Sequence, residues 1–392
     1  MTAGANSQRK DGRVRCPTTA HSLFPHLLGE EALKESYYLP PLSAPICILQ
    51  TLSPHSSPQH PHTMVLIAAL ALFLCAVLSF GLLLKPHLRT CQQHPRKIPV
   101  SVNYHFTRQC NYNCGFCFHT ATTSHIETPD RQKQALRLLA DAGMRKINFA
   151  GGEPFLNPKM LGDMIDFCKR DLHLESVSIV TNGSLIKESF LKKHADQLDI
   201  LAVSCDSFDE TTNIKIGRGT GEQVKKLYEI AGWCRKYGIA FKLNTVVNRF
   251  NVHEDMNRHI EELQPFRWKC FQVLIVPGEN DSDDTKRNGH EFTISDSEFD
   301  AFCQRHTRQQ ACLVLEPNRL MASSYLILDE YLRFVDKTGK QPSGSILEVG
   351  VQRALESVFW DENAFLERGG LYDWVKPEGE KSCGTAAEMF DW

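Results

Sequence analysis

Cys110, Cys114 and Cys117 stand at C-x3-C-x2-C spacing in the run Cys110-Asn111-Tyr112-Asn113-Cys114-Gly115-Phe116-Cys117, and the next cysteine is Cys168. A cubane [4Fe-4S] cluster normally takes one thiolate on each iron. Three local thiolates therefore leave one iron with an open position for a small molecule. The same thiols also suit zinc, which wants a further Cys or His at short range. His105 or His119 could supply it.

The run Lys146-Ile147-Asn148-Phe149-Ala150 reads as a buried strand and leads straight into Gly151-Gly152-Glu153-Pro154. Two glycines at a strand end let the backbone turn sharply and bring its amides and carbonyls close to a ligand. Glycine pairs are also common in ordinary loops. This turn, however, falls one βα unit after the cysteine loop, on the next strand. Together the two motifs, with Phe116 and Phe118 flanking the third cysteine, resemble radical S-adenosylmethionine (SAM) enzymes. In those enzymes SAM chelates the open iron, and a G-G-E-P turn lies beside its amino group.

The elements that must position these motifs alternate. Strands are expected at 101–107, 146–150, 177–181, 201–204, 240–246 and 270–275. Helices are expected at 129–142, 158–169, 187–194, 221–237 and 251–263. Six βα units with short loops imply a parallel sheet with helices outside, an α/β fold. The likeness to radical SAM enzymes makes it an open, partial (β/α)6 barrel over residues 101–280. Ligands gather at the carboxyl ends of such strands, where the cysteine loop, Gly151–Glu153, Asn182 and Ser204 fall. Residues 281–392, with a helix at 295–306 and the apolar run Tyr325–Leu328, form an extension expected to close the barrel mouth.

The 392 residues are 42% hydrophobic and 23% charged, with formal net charge -2. That balance argues against a duplex nucleic-acid binder, whose footprint is strongly basic. The 14 cysteines are scattered apart from the cluster. Cys168, Cys205, Cys234 and Cys270 read as reduced, buried small hydrophobes, which implies a reducing compartment. Residues 1–63, rich in Pro, Ser, His and Thr, read as a disordered extension. Val65–Leu84 carries no charge and is long enough for a transmembrane anchor, with a linker at 85–100. Lys85, Arg89, Arg96 and Lys97 follow the span, which places the catalytic domain in the cytosol.

From Ser101 onward the chain resembles the viperin family of radical SAM nucleotide dehydratases. The resemblance rests on Asn103–Gln109, Asn148–Phe155, Ser204–Glu210, Ile216–Gly219, Asn248–Val252, Arg267–Lys269 and Ser324–Tyr331. It implies a [4Fe-4S] cluster on Cys110, Cys114 and Cys117. It also implies SAM contacts at Phe118, Gly151, Gly152, Glu153, Asn182, Ser204 and Arg218. Nucleotide contacts are implied at Asn103, Lys146, Lys242, Asn244, Arg267 and Lys269, with Tyr325 approaching the ribose. The implied substrate is a ribonucleoside triphosphate, CTP in animal members. The implied product is a 3′-deoxy-3′,4′-didehydro nucleotide, with an antiviral role. Trp392 is implied to be read by the cytosolic iron–sulfur assembly machinery, and a one-electron reductant is required. Family members in animals attach to the endoplasmic reticulum, so this chain is expected at that membrane.

Two rival functions remain at this stage. One is another radical SAM modifier, of a peptide or a tRNA. Peptide modifiers often carry a second cysteine-rich domain, whereas 280–392 holds only Cys303, Cys312 and Cys383. The other is a membrane-anchored interaction scaffold, against which the three cysteines and the barrel lysines argue.

Overall fold

A computed structural model describes residues 61–83, 97–336 and 341–373. The chain divides into two units, Met1–Thr90 and Cys91–Trp392. In the second unit eight strands form one parallel sheet in the order β7-β6-β5-β4-β3-β2-β1-β8. They are β1 Ser101–His105, β2 Lys146–Ala150, β3 Ser176–Thr181, β4 Ile200–Ser204, β5 Ala240–Val247, β6 Arg267–Gln272, β7 Leu313–Glu316 and β8 Ile327–Leu328.

Side chains alternate along each strand. Val102, Tyr104, Ile147 and Phe149 belong to the fully buried apolar core, whereas Asn103, His105, Asn148 and Ala150 line the barrel's cavity. A parallel sheet usually buries apolar residues on both faces. Here Asn103, His105 and Asn148 bring polar groups to the inner face, around the cavity. Helix Pro129–Asp141 shows how the outer layer is built. Proline opens its first turn, where a missing amide costs nothing. Ala135, Leu136 and Leu139 fall on one buried face, and Gly143 at φ +102° turns the chain back.

The first five strands agree with the sequence reading to within two residues. The sixth starts three residues earlier than expected, at Arg267. Trp268 is fully buried there, and its indole donates to Thr245 Oγ1 at 3.0 Å. The helix expected over 251–263 begins only at Asn257. Asn251 Oδ1 accepts the amide of Asn248, and Asn248 Oδ1 accepts that of Phe250, so local side-chain bonds hold the preceding stretch as turns.

The larger correction concerns the extension. It does more than cover the mouth, since it supplies β7 beside β6 and β8 beside β1. Eight strands about 4.8 Å apart would hold the end strands about 34 Å apart in a flat sheet. The connection from β7 to β8, residues 317–326, includes the seven-residue helix Asn318–Ser324 and reaches about 27 Å at most. The sheet must curl, in keeping with the expected partial barrel.

The first unit contains a helix at Pro61–Leu83. Side chains are described for residues 65–77, and all are exposed. No described helix is long and apolar enough to cross a membrane. The transmembrane anchor expected at 65–84 is therefore not shown among the described residues. Residues 1–60, most of the expected linker, and Trp392 lie outside the described residues.

Candidate active site

The cysteine loop is pinned by backbone bonds to the end of helix Glu210–Ile216. Asn113 N donates to Gly217 O at 3.1 Å, and Gly115 N donates to Ile216 O at 2.9 Å. Gly217 closes that helix in the left-handed region, where a Cβ would stand 2.4 Å from Asn113 O. Phe116 packs edge-on against Phe292 beneath the loop. Cys110, Cys114 and Cys117 all line one cavity of about 300 Å³, and none is in a disulfide. Burial pushes the Cys114 thiol up to about 12, opposed by the Arg218 charge. Among the described residues no three His, Cys, Asp or Glu groups stand close enough to share one metal ion. A cubane asks for something different, one thiolate on each of three irons. Three unpaired thiols on one loop facing one chamber fit that demand.

The turn at Gly151-Gly152 lies against the stretch leading into the cysteine loop. Gly152 N donates to Thr107 O at 2.7 Å, and Glu153 N donates to Gln109 O at 2.8 Å. A Cβ would stand 2.3 Å from Thr107 O at Gly151 and 1.9 Å from Gln109 O at Gly152. Both glycines line the cavity, but Glu153 does not. Its fully buried carboxylate accepts from Phe155 N, Thr181 Oγ1 and Asn182 N at 2.7–2.9 Å. Those donors occupy its oxygens and hold the turn together, so the Glu153 side chain serves the shape of the turn.

Phe118, Asn182, Ser204 and Arg218 line the same cavity. Asn182 Nδ2 donates to Asn111 Oδ1 at 2.9 Å and lies 3.9 Å from Cys110 Sγ. Arg218 Nε meets Asp206 Oδ2 at 2.5 Å, and Asp206 Oδ1 accepts from Val246 N. The guanidinium is therefore aimed by a buried carboxylate. Arg108 grips both Glu279, through two bonds of 3.0 Å, and Glu330 at 2.9 Å. It joins β1 to the loop after β6 and to the extension.

Beyond this chamber lies a smaller cavity of about 40 Å³, lined by Lys146, Lys242, Lys269 and Arg368 among others. Asn103, Asn148, Lys242 and Tyr325 line both cavities. Asn148 Nδ2 donates to Asn103 Oδ1 at 2.7 Å. Asn244 lines the larger chamber, with its buried Oδ1 lacking a hydrogen-bond partner. Burial and neighbouring cations push Lys146 down to about 7 and Lys242 well below its ordinary value. Burial lowers Lys269 to about 8, with Glu316 opposing the shift. Arg267 departs from expectation. It lines neither cavity, because its guanidinium lies 3.9 Å from the ring centre of Tyr372.

Residues 104–264 match the Radical SAM superfamily. S-adenosylmethionine-dependent nucleotide dehydratase RSAD2 of Danio rerio is 52% identical over 305 residues, covering 75% of this chain and 85% of that protein. A protein of a Thermoplasmatales archaeon (strain ISO4-H5), also named S-adenosylmethionine-dependent nucleotide dehydratase, is 33% identical and is covered over 96% of its length. The chain belongs to the S-adenosylmethionine-dependent nucleotide dehydratases. It is a radical SAM enzyme whose cofactors are a [4Fe-4S] cluster and SAM. The solved structure of Streptococcus suis SuiB bound to S-adenosylmethionine shares the fold. Its TM-score is 0.52 at 16% identity, covering 69% of this chain and 68% of SuiB.

Sequence reasoning missed several residues of this dehydratase chamber. Asp206 lies two positions beyond Ser204, so the period of a strand could have found it. Glu316, Arg368 and Tyr372 carry no local signal, because only the curled sheet and the extension bring them to the floor.

Proposed function

We propose that the cationic floor takes the triphosphate of a ribonucleoside triphosphate, CTP by resemblance, and that the ribose lies in the chamber above it. One observation carries this reading: Lys242 lines both cavities. A ligand whose phosphates rest on Lys146, Lys242 and Lys269 thus presents its sugar toward the cysteine loop. Buried cations are costly without a counter-charge, and a triphosphate offers about four negative charges for charge-assisted bonds. Cys110, Cys114 and Cys117 would hold the cluster, which would supply the one electron needed to cleave SAM to methionine and a 5′-deoxyadenosyl radical. The protein's own task is positioning. Arg218 and Ser204, with the Gly151-Gly152 backbone, Asn182 and Phe118, hold SAM. Asn103 and Asn244 orient the ribose with its 4′ hydrogen toward the SAM side, and Arg267 joins the phosphate set by a small swing off Tyr372. After the 4′ hydrogen is taken, the 3′ hydroxyl leaves with one added proton as water, and one added electron completes the didehydro product.

A nucleotide without a 3′ hydroxyl cannot be extended by a polymerase, which supports an antiviral role. The uncharged helix Pro61–Leu83, exposed at every described side chain, supports attachment to a membrane surface, that of the endoplasmic reticulum by resemblance. Phe390-Asp391-Trp392 is read as the handle for iron–sulfur assembly.

The test is anaerobic incubation of reconstituted protein with SAM, dithionite and each of the four triphosphates. CTP should yield 5′-deoxyadenosine and a nucleotide lighter by one water. Alanine at Cys110, Cys114 or Cys117 should abolish both products. Conversion of another triphosphate in preference to CTP would reassign the base, and conversion of none would remove the nucleotide reading.

A further inference from the structure

Glu316 is the last residue of β7 and is fully buried. It stands beside Phe271 in register, facing the barrel interior. Its Oε1 accepts from Tyr325 OH at 3.0 Å and from the Lys269 ammonium, and it lies 3.5 Å from Arg368 Nη1. Tyr325 in turn accepts from Lys269 Nζ at 3.1 Å, and its ring centre lies 3.8 Å from the Arg368 guanidinium. The phenol is therefore held on three sides. Lys269 has only hydrogens to give, so the phenolic hydrogen must point at Glu316. A phosphate site by itself has no use for a buried carboxylate, which repels the ligand. What this carboxylate does hold is the one tyrosine lining both cavities.

We infer that Glu316 is a positioning residue that fixes the Tyr325 hydroxyl where the SAM chamber meets the cationic floor, so that the ribose meets it in a single orientation. The inference rests on the nucleotide reading above. Once phosphate draws Lys269 away, Glu316 and Arg368 still hold the phenol. Glu316 acts through Tyr325, and it acts against phosphate affinity.

The two effects have opposite signs, which makes them separable. In reconstituted enzyme, Glu316→Leu should lower the ratio of dehydrated nucleotide to 5′-deoxyadenosine about tenfold, as misplacement of a reacting group does. The same variant should bind the triphosphate at least as tightly as wild type, because one repelling charge is gone. Glu316→Gln keeps an acceptor for the phenol and should hold the ratio within about threefold of wild type. A merely structural role would weaken binding and lower the ratio together, and that result overturns the inference. So does a wild-type ratio in Glu316→Leu. If the leucine variant takes up no iron, Tyr325→Phe removes the same bond from the other side. The same tenfold loss then supports the inference, and an unchanged ratio overturns it. Failure of the wild-type enzyme to convert any triphosphate is a separate result, which removes the nucleotide reading itself.

Discussion

The Lys146 ammonium donates a 2.8 Å hydrogen bond to the hydroxyl of Tyr372, joining the first residue of β2 to the end of the described extension. The same tyrosine ring lies beneath Arg267 at 3.9 Å. One aromatic side chain from the extension thus touches both Lys146 of the floor and Arg267 beside it. This contact makes the extension part of the candidate site.

The depressed lysines make nucleotide binding pH-dependent. Lys146, lowered to about 7, and Lys269, lowered to about 8, lose protons in the empty site as pH rises through those values. A bound polyanion favours their charged forms. The complex therefore holds more protons than the empty site between about pH 7 and 9. Triphosphate affinity should fall as pH rises across that window and level off below it. Calorimetry at pH 8 in buffers of different ionisation enthalpy should show net proton uptake. Binding without proton exchange would contradict the charge state assigned to the floor.

Lys242 and Arg267 should differ in weight. Lys242→Ala removes a cation that faces both cavities and should weaken triphosphate binding by about 1.5–3 kcal/mol, as for a charge-assisted hydrogen bond. Arg267→Ala removes one whose guanidinium lies on Tyr372, and its loss should be smaller. Equilibrium binding to both variants gives the order. The reverse order would place the phosphates nearer the extension.

An alanine at Gly152 would drive its Cβ to 1.9 Å from the Gln109 carbonyl. Backbone cannot give way as a side chain can, so the substitution should cost about 3 kcal/mol or more. It should also part the turn from the cysteine loop. Urea unfolding measures the first effect, and iron content after reconstitution measures the second. A variant with wild-type stability would show that the two stretches are not held this closely.

The iron-delivery proposal makes a cellular prediction. Trp392→Ala should lower the iron content of protein isolated from cells, while chemically reconstituted variant regains full activity. A buried indole is worth roughly 2–3 kcal/mol to a partner pocket, so the loss should be large. Full iron from cells would remove the role, and failure of reconstitution would make Trp392 structural.

The local motifs were legible because their information is local. Cys110, Cys114 and Cys117 lie on one loop, Gly151-Gly152 end one strand, and Lys242 with Asn244 or Ser204 with Asp206 share a face by the period of a strand. Strand-end positions put the cysteine loop, the glycine turn and Ser204 at the carboxyl ends of the sheet, and the resemblance put Lys242 and Asn244 in the site, while Asp206 was missed. Spacing could not show that Glu153 turns inward, because that depends on amides brought over from β3, or that Arg267 turns onto Tyr372.

The sequence by itself determined the cysteine loop, the glycine turn and the parallel βα order. Each depends on neighbours a few residues away, through backbone sterics and alternation. Only the tertiary structure decided how the barrel ends. Glu316, Tyr325, Arg368 and Tyr372 reach the floor because the short connection between β7 and β8 forces the sheet to curl. Their meeting with Lys146 and Lys269 spans up to 226 residues of chain. No periodicity reports contacts at that separation, because they are set by how the sheet closes.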